Sequence, residues 1–148
     1  MIESNKPNVA IVDYGVGNLF SVKHACNSVG IQACITSHKQ EILSADAVIL
    51  PGVGAFGNAI ESLRKLDLIH VLKDVATSSK PFVGICLGMH LLMEDSEEFG
   101  SHQGLGIIKG SVIRFDNPMD ASGKRLKVPH VGWNRIYKKS DSNRDLWT

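Results

Sequence analysis

The chain has 148 residues, of which 43% are hydrophobic and 21% charged, and its formal net charge at pH 7 is +1. This length and composition predict one globular domain spanning residues 1–148. Because positive and negative charges are balanced, the sequence gives no electrostatic reason to expect nucleic acid or an anionic membrane as a partner. Residues 1–7 contain no apolar signal segment, and no apolar run approaches membrane-spanning length, so the predicted location is the cytoplasm.

Four short apolar runs predict four β-strands, because strands that are buried on both faces are continuously apolar. They lie at residues 8–13, 31–36, 47–50 and 82–85. Apolar residues at helical spacing separate these runs, and residues 37–40 have the form of a capping box that starts a short helix to about Leu43. The β-α order predicts an α/β fold with a mostly parallel sheet and helices on both faces.

The turn after the first strand contains Gly15 and Gly17, which match part of the dinucleotide-binding fingerprint. Phe20 occupies the place of the third glycine in that fingerprint. A nucleotide-binding flavodoxin-like module is therefore the least supported of the functions considered.

The third strand leads directly into a glycine-rich segment, PGVGAFG at residues 51–57. Open α/β sheets bind ligands at the carboxyl ends of their strands. Glycine lets backbone N–H groups approach a substrate without hindrance from side chains. We expect this segment to supply one donor of an oxyanion hole, and the alternative interpretation is an ordinary strand-to-helix turn.

The fourth strand leads into Gly84-Ile85-Cys86-Leu87-Gly88, which has the form of a nucleophile elbow. In this turn the nucleophile adopts a strained backbone conformation, and glycines two residues before and after it avoid steric clashes. Its position at a helix N-terminus favours a thiolate, and the N–H of Leu87 would face a developing oxyanion. The alternative is that Cys86 is a buried core cysteine between two packing glycines.

The helix of the elbow is predicted to run from Leu87 to Glu94, and the pattern changes after the acidic run at residues 94–98. Residues 107–108 and 111–115 are then predicted as strands. Cys26 and Cys34 fall in apolar helix and strand patterns, and we expect both to be structural. The three cysteines lack the spacing of metal ligands, so the sequence predicts no metal site.

Several segments together resemble a known family, and they stand in the order in which that family carries them. They are DYGVGNL at 13–19, PGVG at 51–54, GICLGM at 84–89, GLG at 104–106 and PHVGWN at 129–134. The chain is similar to class I (triad-type) glutamine amidotransferases. The first and last segments narrow this resemblance to the glutamine amidotransferase subunits of imidazole glycerol phosphate synthases.

The resemblance implies a flavodoxin-like domain that hydrolyses L-glutamine to glutamate and ammonia through a cysteine thioester, without a cofactor. It also implies a heterodimer with a cyclase subunit, a TIM barrel. The ammonia would pass through a tunnel in that subunit to a reaction of histidine biosynthesis that makes imidazole glycerol phosphate and AICAR.

The resemblance assigns roles to individual residues. The nucleophile is Cys86, the oxyanion region contains Leu87, Gly52 and Val53, the glutamine pocket contains Gly54, His90 and Glu98, and the cyclase interface contains Asn18 and Trp133.

The sequence departs from the family pattern in two ways. The family usually has glutamine at the position of His90, where its amide holds the substrate. The family also carries its catalytic histidine and glutamate in a His-Pro-Glu-like segment near the C-terminus, and no histidine of this sequence precedes a Pro-Glu pair. The six histidines are His24, His38, His70, His90, His102 and His130.

These departures predict a domain shortened at its C-terminal end, with an open sheet edge, an uncovered core and impaired turnover, because the base must also protonate the leaving amine. Three hypotheses therefore remain beside the nucleotide-binding module. They are a working glutaminase subunit, an impaired remnant that only binds the cyclase, and another cysteine hydrolase of this fold such as a γ-glutamyl hydrolase. The PHVGWN segment argues against the last of these.

Overall fold

The computed structural model describes residues 7–129, 132, 133 and 135. The chain divides into two compact units, one that ends at Arg114 and one that begins at Phe115. The prediction of a single domain over residues 1–148 is not tested by this division and stays a prediction. None of the helices in the described ranges has the length and hydropathy of a membrane-spanning segment.

The first unit is built on a four-stranded parallel sheet with the strand order β2-β1-β3-β4. Its strands are β1 (Asn8–Val12), β2 (Gln32–Thr36), β3 (Ala47–Leu50) and β4 (Phe82–Gly84). The helices are α1 (Leu19–Ser28), α2 (Lys39–Ser44), α3 (Phe56–Lys65), α4 (Ile69–Thr77) and α5 (Leu87–Leu91). The predicted parallel α/β architecture is confirmed.

One face of this sheet carries the larger hydrophobic core. Alternate strand residues such as Ala10, Val48 and Leu50 point to this face, and all three are fully buried. Helices α2 to α5 cover them with buried apolar residues, among them Leu63 and Leu72.

The other face of the sheet packs against α1, through a smaller core of Val9, Ile11, Cys26 and Ala33. Helices therefore lie on both faces, as the sequence predicted. An apolar groove of about 430 Å³ remains on this side, lined by residues of α1 and by Ile49 and Ile85 among others.

The β4 side of this face is partly uncovered. Val83 is 48% exposed and Ile85 is 40% exposed, and β4 pairs only with β3 among the described residues. Within the described residues, β4 is therefore an edge strand with exposed apolar side chains, and the shortened C-terminal end from which such an edge was expected stays a prediction.

A second, three-stranded sheet follows α5, with the order β6-β5-β7. Its strands are β5 (Asp95–Ser96), β6 (His102–Gln103) and β7 (Ser111–Val112). The sequence analysis missed β5 and β6. It was wrong about a strand at 107–108, because the N–H groups of Ile107 and Ile108 both donate to the carbonyl of Leu92 instead of a neighbouring strand.

Two helix predictions also need correction. The elbow helix ends at Leu91 instead of continuing to residue 94, since the carbonyl oxygens of Leu91 and Met93 accept hydrogen bonds from Leu105 and Gly106. The capping box at residues 37–40 is wrong. The N-cap of α2 is His38, whose side chain makes no capping hydrogen bond.

The second unit contains little regular structure in its described residues. Met119 and Arg125 form an isolated antiparallel bridge, and the Asp120 carboxylate closes the turn between them by accepting hydrogen bonds from Ser122 and Lys124. These hydrogen bonds lower the pKa of the Asp120 carboxyl below its usual value.

Candidate active site

The turn between β4 and α5 holds Cys86 in a backbone conformation that is rare for any residue other than glycine. Its φ is 54° and its ψ is −118°. The carbonyl oxygen of Cys86 accepts hydrogen bonds from the N–H groups of Met89 (2.9 Å) and His90 (3.1 Å), which closes the turn. The residue is exposed. The predicted strained strand–cysteine–helix turn is therefore confirmed, and its alternative, a buried core cysteine, is wrong.

The two glycines that flank Cys86 are required by close backbone packing. A Cβ atom at Gly84 would lie 2.6 Å from the Cα of Met89, inside the turn itself. A Cβ atom at Gly88 would overlap the carbonyl oxygen of Leu50, at the end of β3. The first glycine therefore permits the turn, and the second lets α5 pack directly against the neighbouring strand.

The glycine-rich segment after β3 lies against the first turn of α5. A Cβ atom at Gly52 would be 2.7 Å from the backbone nitrogen of Gly88 and 2.9 Å from the Cβ of Leu87. Gly52 is buried, whereas Val53 and Gly54 are exposed. The structure thus brings together the two segments that the sequence analysis assigned to the oxyanion region.

The N–H groups of Leu87 and Val53 are available for an additional acceptor. Neither donates to a backbone carbonyl oxygen within the described residues. A substrate oxygen that accepts hydrogen bonds from such N–H groups would gain negative charge at lower cost in free energy. An oxyanion hole formed by these two N–H groups stays a prediction.

The sequence analysis missed Tyr14, which contacts the same glycine-rich segment. Its hydroxyl donates a hydrogen bond of 2.6 Å to the carbonyl oxygen of Pro51, and the residue is only 2% exposed. Burial raises the pKa of the phenol far above its usual value, so the hydroxyl stays protonated and stays a donor. One signal pointed to it: a tyrosine directly after a buried strand needs a partner for its hydroxyl.

Glu98 lies at the other end of the glycine-rich segment. Its Oε2 accepts a 2.7 Å hydrogen bond from the N–H of Phe56, the first residue of α3. Next to it, the ring of His102 packs over Gly57, where a Cβ atom would lie 2.7 Å from His102 Cε1. Glu98 therefore holds the start of α3, and the substrate contact assigned to it by resemblance stays a prediction.

The remaining predicted site residues lie in different surroundings. His90 is half-buried on α5. Asn18 is the N-cap of α1, and its side-chain oxygen accepts a hydrogen bond from the N–H of Ser21. Trp133, in the second unit, is fully exposed. His130 lies outside the described residues, and the roles of Asn18 and Trp133 at a partner interface stay predictions.

Comparisons with known proteins identify the family and the fold. The profile of the family "Glutamine amidotransferase class-I" matches residues 10–145. Two solved structures are similar in fold. One is described as a glutamine amidotransferase, with a TM-score of 0.61 at 20% identity over 72% of this chain and 56% of the other. The other is a putative peptidase E protein from Listeria monocytogenes, with a TM-score of 0.51 at 14% identity over 63% and 54%.

Curated relatives are more similar in sequence. The "Imidazole glycerol phosphate synthase subunit HisH" of Sulfurimonas denitrificans is 52% identical over 88% of this chain and 62% of the relative. The protein of the same name from Bacillus subtilis is 43% identical over 90% of this chain and 63% of the relative. The chain thus spans less than two thirds of the length of these relatives.

The resemblance inferred from the sequence segments is confirmed at the level of the family. The family profile covers both the glycine-rich segment and the strained turn at Cys86, and the fold agrees with that of a solved glutamine amidotransferase. The chain belongs to the glutamine amidotransferase class-I family.

Proposed function

We propose that this chain is the glutaminase subunit of an imidazole glycerol phosphate synthase and that Cys86 is its nucleophile. The observation that carries the proposal is the turn itself, in which an exposed cysteine with φ 54° follows a strand and Gly52 packs against the helix that comes next. A strained backbone at an exposed cysteine beside a glycine-rich segment supports a functional role, since such conformations cost free energy and cluster at active sites.

The geometry supports acyl transfer from an amide. The sulfur of Cys86 attacks the side-chain carbonyl carbon of L-glutamine, and the carbonyl oxygen becomes an oxyanion between the N–H groups of Leu87 and Val53. The intermediate collapses with breakage of the C–N bond, the nitrogen takes up a proton and leaves as ammonia, and a thioester remains. Water then hydrolyses the thioester to glutamate and restores the thiol.

We assign the proton transfers to no residue of this chain, because no histidine in the sequence precedes a Pro-Glu pair. Gly54, His90 and Glu98 are assigned to the glutamine pocket by resemblance. Of these, Gly54 directly follows Val53, and Glu98 reaches the N-terminus of α3 two residues further on. The position of Glu98 therefore supports a pocket beside the oxyanion donors.

The partner is proposed from the relatives, each of which is named as a subunit of imidazole glycerol phosphate synthase. We propose that a cyclase subunit with a TIM-barrel fold binds the segments of Asn18 and Trp133 and receives the ammonia. The alternative from the sequence analysis is a chain that binds the cyclase without turnover. The cytoplasmic location stays a prediction.

The test of the nucleophile is covalent labelling followed by intact mass spectrometry. The reagent is the chloroketone analogue of L-glutamine, and its D-enantiomer is the control with equal intrinsic reactivity. We expect one label per chain, faster incorporation of the L-form, no label in Cys86→Ala, and unchanged labelling in Cys26→Ala and Cys34→Ala. Equal rates for the two enantiomers in the folded chain would overturn the glutamine site.

Turnover is measured separately, as release of glutamate from L-glutamine with the cyclase subunit present. Release above the level of the Cys86→Ala variant supports the working glutaminase. Stereoselective labelling together with cyclase binding but without glutamate release supports the alternative.

A further inference from the structure

We propose that the Tyr14 hydroxyl is a positioning group for the glutaminase reaction, holding the Pro51 carbonyl so that Gly52 and Val53 stay against the cysteine turn. The inference rests on the proposed function and deepens it. Tyr14 touches no reacting atom in this account, and it acts through the backbone of the glycine-rich segment.

The first step of the argument is the hydrogen bond itself. The Tyr14 hydroxyl donates to the Pro51 carbonyl oxygen at 2.6 Å, and both residues are buried. Because the peptide bond between Pro51 and Gly52 is planar, an anchored carbonyl fixes the orientation of the whole peptide unit. The conformational freedom of the segment is then confined to the bonds after the nitrogen of Gly52.

The second step is the position of Gly52 between two partners. A Cβ atom at Gly52 would lie 2.7 Å from the Tyr14 hydroxyl and 2.7 Å from the backbone nitrogen of Gly88. The hydroxyl and the first turn of α5 therefore enclose the same glycine. Glycine at this position lets the anchored segment approach both of them.

The third step is the order of the strands. β1, β3 and β4 are consecutive neighbours in the parallel sheet, and Tyr14, Pro51 and Cys86 follow their respective carboxyl ends. A continuous set of contacts thus runs across three strand ends, from the phenol through the Pro51–Gly52 peptide to the helix that begins after Cys86. Gly17 adds to it, since a Cβ atom there would lie 3.3 Å from the Cβ of Pro51.

The chemical consequence concerns the second oxyanion donor. The N–H of Leu87 is fixed by the cysteine turn, but the N–H of Val53 lies one residue after Gly52 in an exposed segment. Without an anchor at Pro51, this N–H would sample several orientations, and only some of them face the oxyanion. Tyr14 reduces that freedom before the substrate arrives, which lowers the barrier of steps that form an oxyanion.

The experiment compares two reagents on the Tyr14→Phe variant, which loses the hydroxyl and keeps the ring in the core. The L-glutamine chloroketone contains a carbonyl whose oxygen becomes an oxyanion when the thiol adds, whereas iodoacetamide alkylates the same thiol by direct displacement. We expect the ratio of the two rate constants to fall about tenfold, a smaller loss than that for removal of an oxyanion donor. A loss of stability that leaves the turn intact would not change this ratio.

The matched control is Ser78→Ala. The Ser78 hydroxyl also donates to a backbone carbonyl at 2.6 Å, that of Val75. Ser78 lies before β4, whereas Cys86 lies after this strand, so the lost hydrogen bond is outside the cysteine turn. We expect this variant to lose stability and keep the wild-type ratio. A wild-type ratio in folded Tyr14→Phe, or an equal decrease in Ser78→Ala, would overturn the inference.

A second variant serves if Tyr14→Phe does not fold. The sequence has two tyrosines, so 3-fluorotyrosine incorporated into a Tyr137→Phe chain replaces Tyr14 alone. The fluorinated phenol is a stronger donor, and we expect a higher ratio than in the unfluorinated Tyr137→Phe chain, while an unchanged or lower ratio overturns the inference. If the wild-type chain itself shows no preference for the L-chloroketone over its D-enantiomer, the proposed function fails instead.

Discussion

The turn after β4 and the glycine-rich segment after β3 meet at one place but are held there in different ways. In the turn, both Gly84 and Gly88 face backbone atoms at distances that exclude any side chain. In the segment, only Gly52 is enclosed in this way, while Gly54 has φ +92° and open space around its Cβ position. The nucleophile is therefore fixed by backbone packing. The N–H of Val53, the second oxyanion donor, lies between the anchored Pro51–Gly52 peptide and Gly54, which has open surroundings.

Of the variants that test this difference, Gly88→Ala is expected to lose the most stability. The added methyl group would overlap the Leu50 carbonyl oxygen, which belongs to a central strand and cannot move alone. We expect a loss of about 3 kcal/mol or more in the free energy of unfolding, measured by urea denaturation.

The control for this variant is Gly57→Ala, which also lies within a helix. Its methyl group would meet the ring of His102, a side chain that can rotate away. We expect a change within about 1 kcal/mol, since alanine also favours the helix. Equal losses in the two variants would show that the backbone contact of Gly88 has no special importance.

An intermediate effect is expected for Gly52→Ala, which pushes the segment away from the turn. The methyl group would meet both the Gly88 nitrogen and the Tyr14 hydroxyl, so we expect a loss of about 1–3 kcal/mol and a lower ratio of chloroketone to iodoacetamide labelling. Because Tyr14→Phe removes one of the three atoms within 3 Å of the added methyl group, the double variant should lose less stability than the sum of the single ones. Additive losses would contradict a shared contact.

The smallest effect is expected for Gly54→Ala, which tests the part of the glycine-rich segment that has open surroundings. No atom lies within 4 Å of its Cβ position, so the cost comes from the positive φ alone, about 1–2 kcal/mol. Gly30→Ala, with φ +77° and equally open surroundings after α1, is the matched control. We expect similar stability in both variants and reduced preference for the L-chloroketone only in Gly54→Ala, and a reduction in both would contradict the pocket assignment.

Much of the fold could be predicted because its signals are local. Runs such as residues 47–50 are apolar enough to identify buried strands. A glycine after a helical pattern indicates a helix end, and Gly30 indeed follows α1 with a positive φ. The cysteine turn was also predictable, since glycines two residues before and two residues after a cysteine are what such a turn requires sterically.

The remaining features depend on contacts between residues that are distant in sequence. The two-residue strands β5 and β6 are too short for any periodicity, and they form because Asp95 pairs with both Gln103 and Ser111. The role of Glu98 at the N-terminus of α3 and the anchoring of Pro51 by Tyr14 join residues 42 and 37 positions apart. No motif predicts such pairs before the strand order is known.

The three-residue length of β4 also has a consequence for the energetics of Cys86. A short strand with one hydrogen-bonded neighbour in the described part of the chain is expected to open locally at low free energy, which native-state hydrogen exchange measures. Cys86 follows β4 within two residues, so we expect each opening to displace the cysteine turn as well. Any molecule that binds only the closed strand raises the opening free energy by RT ln(1 + [L]/Kd). We therefore expect the exchange protection of β4 and the reactivity of the thiol to change together when such a molecule binds.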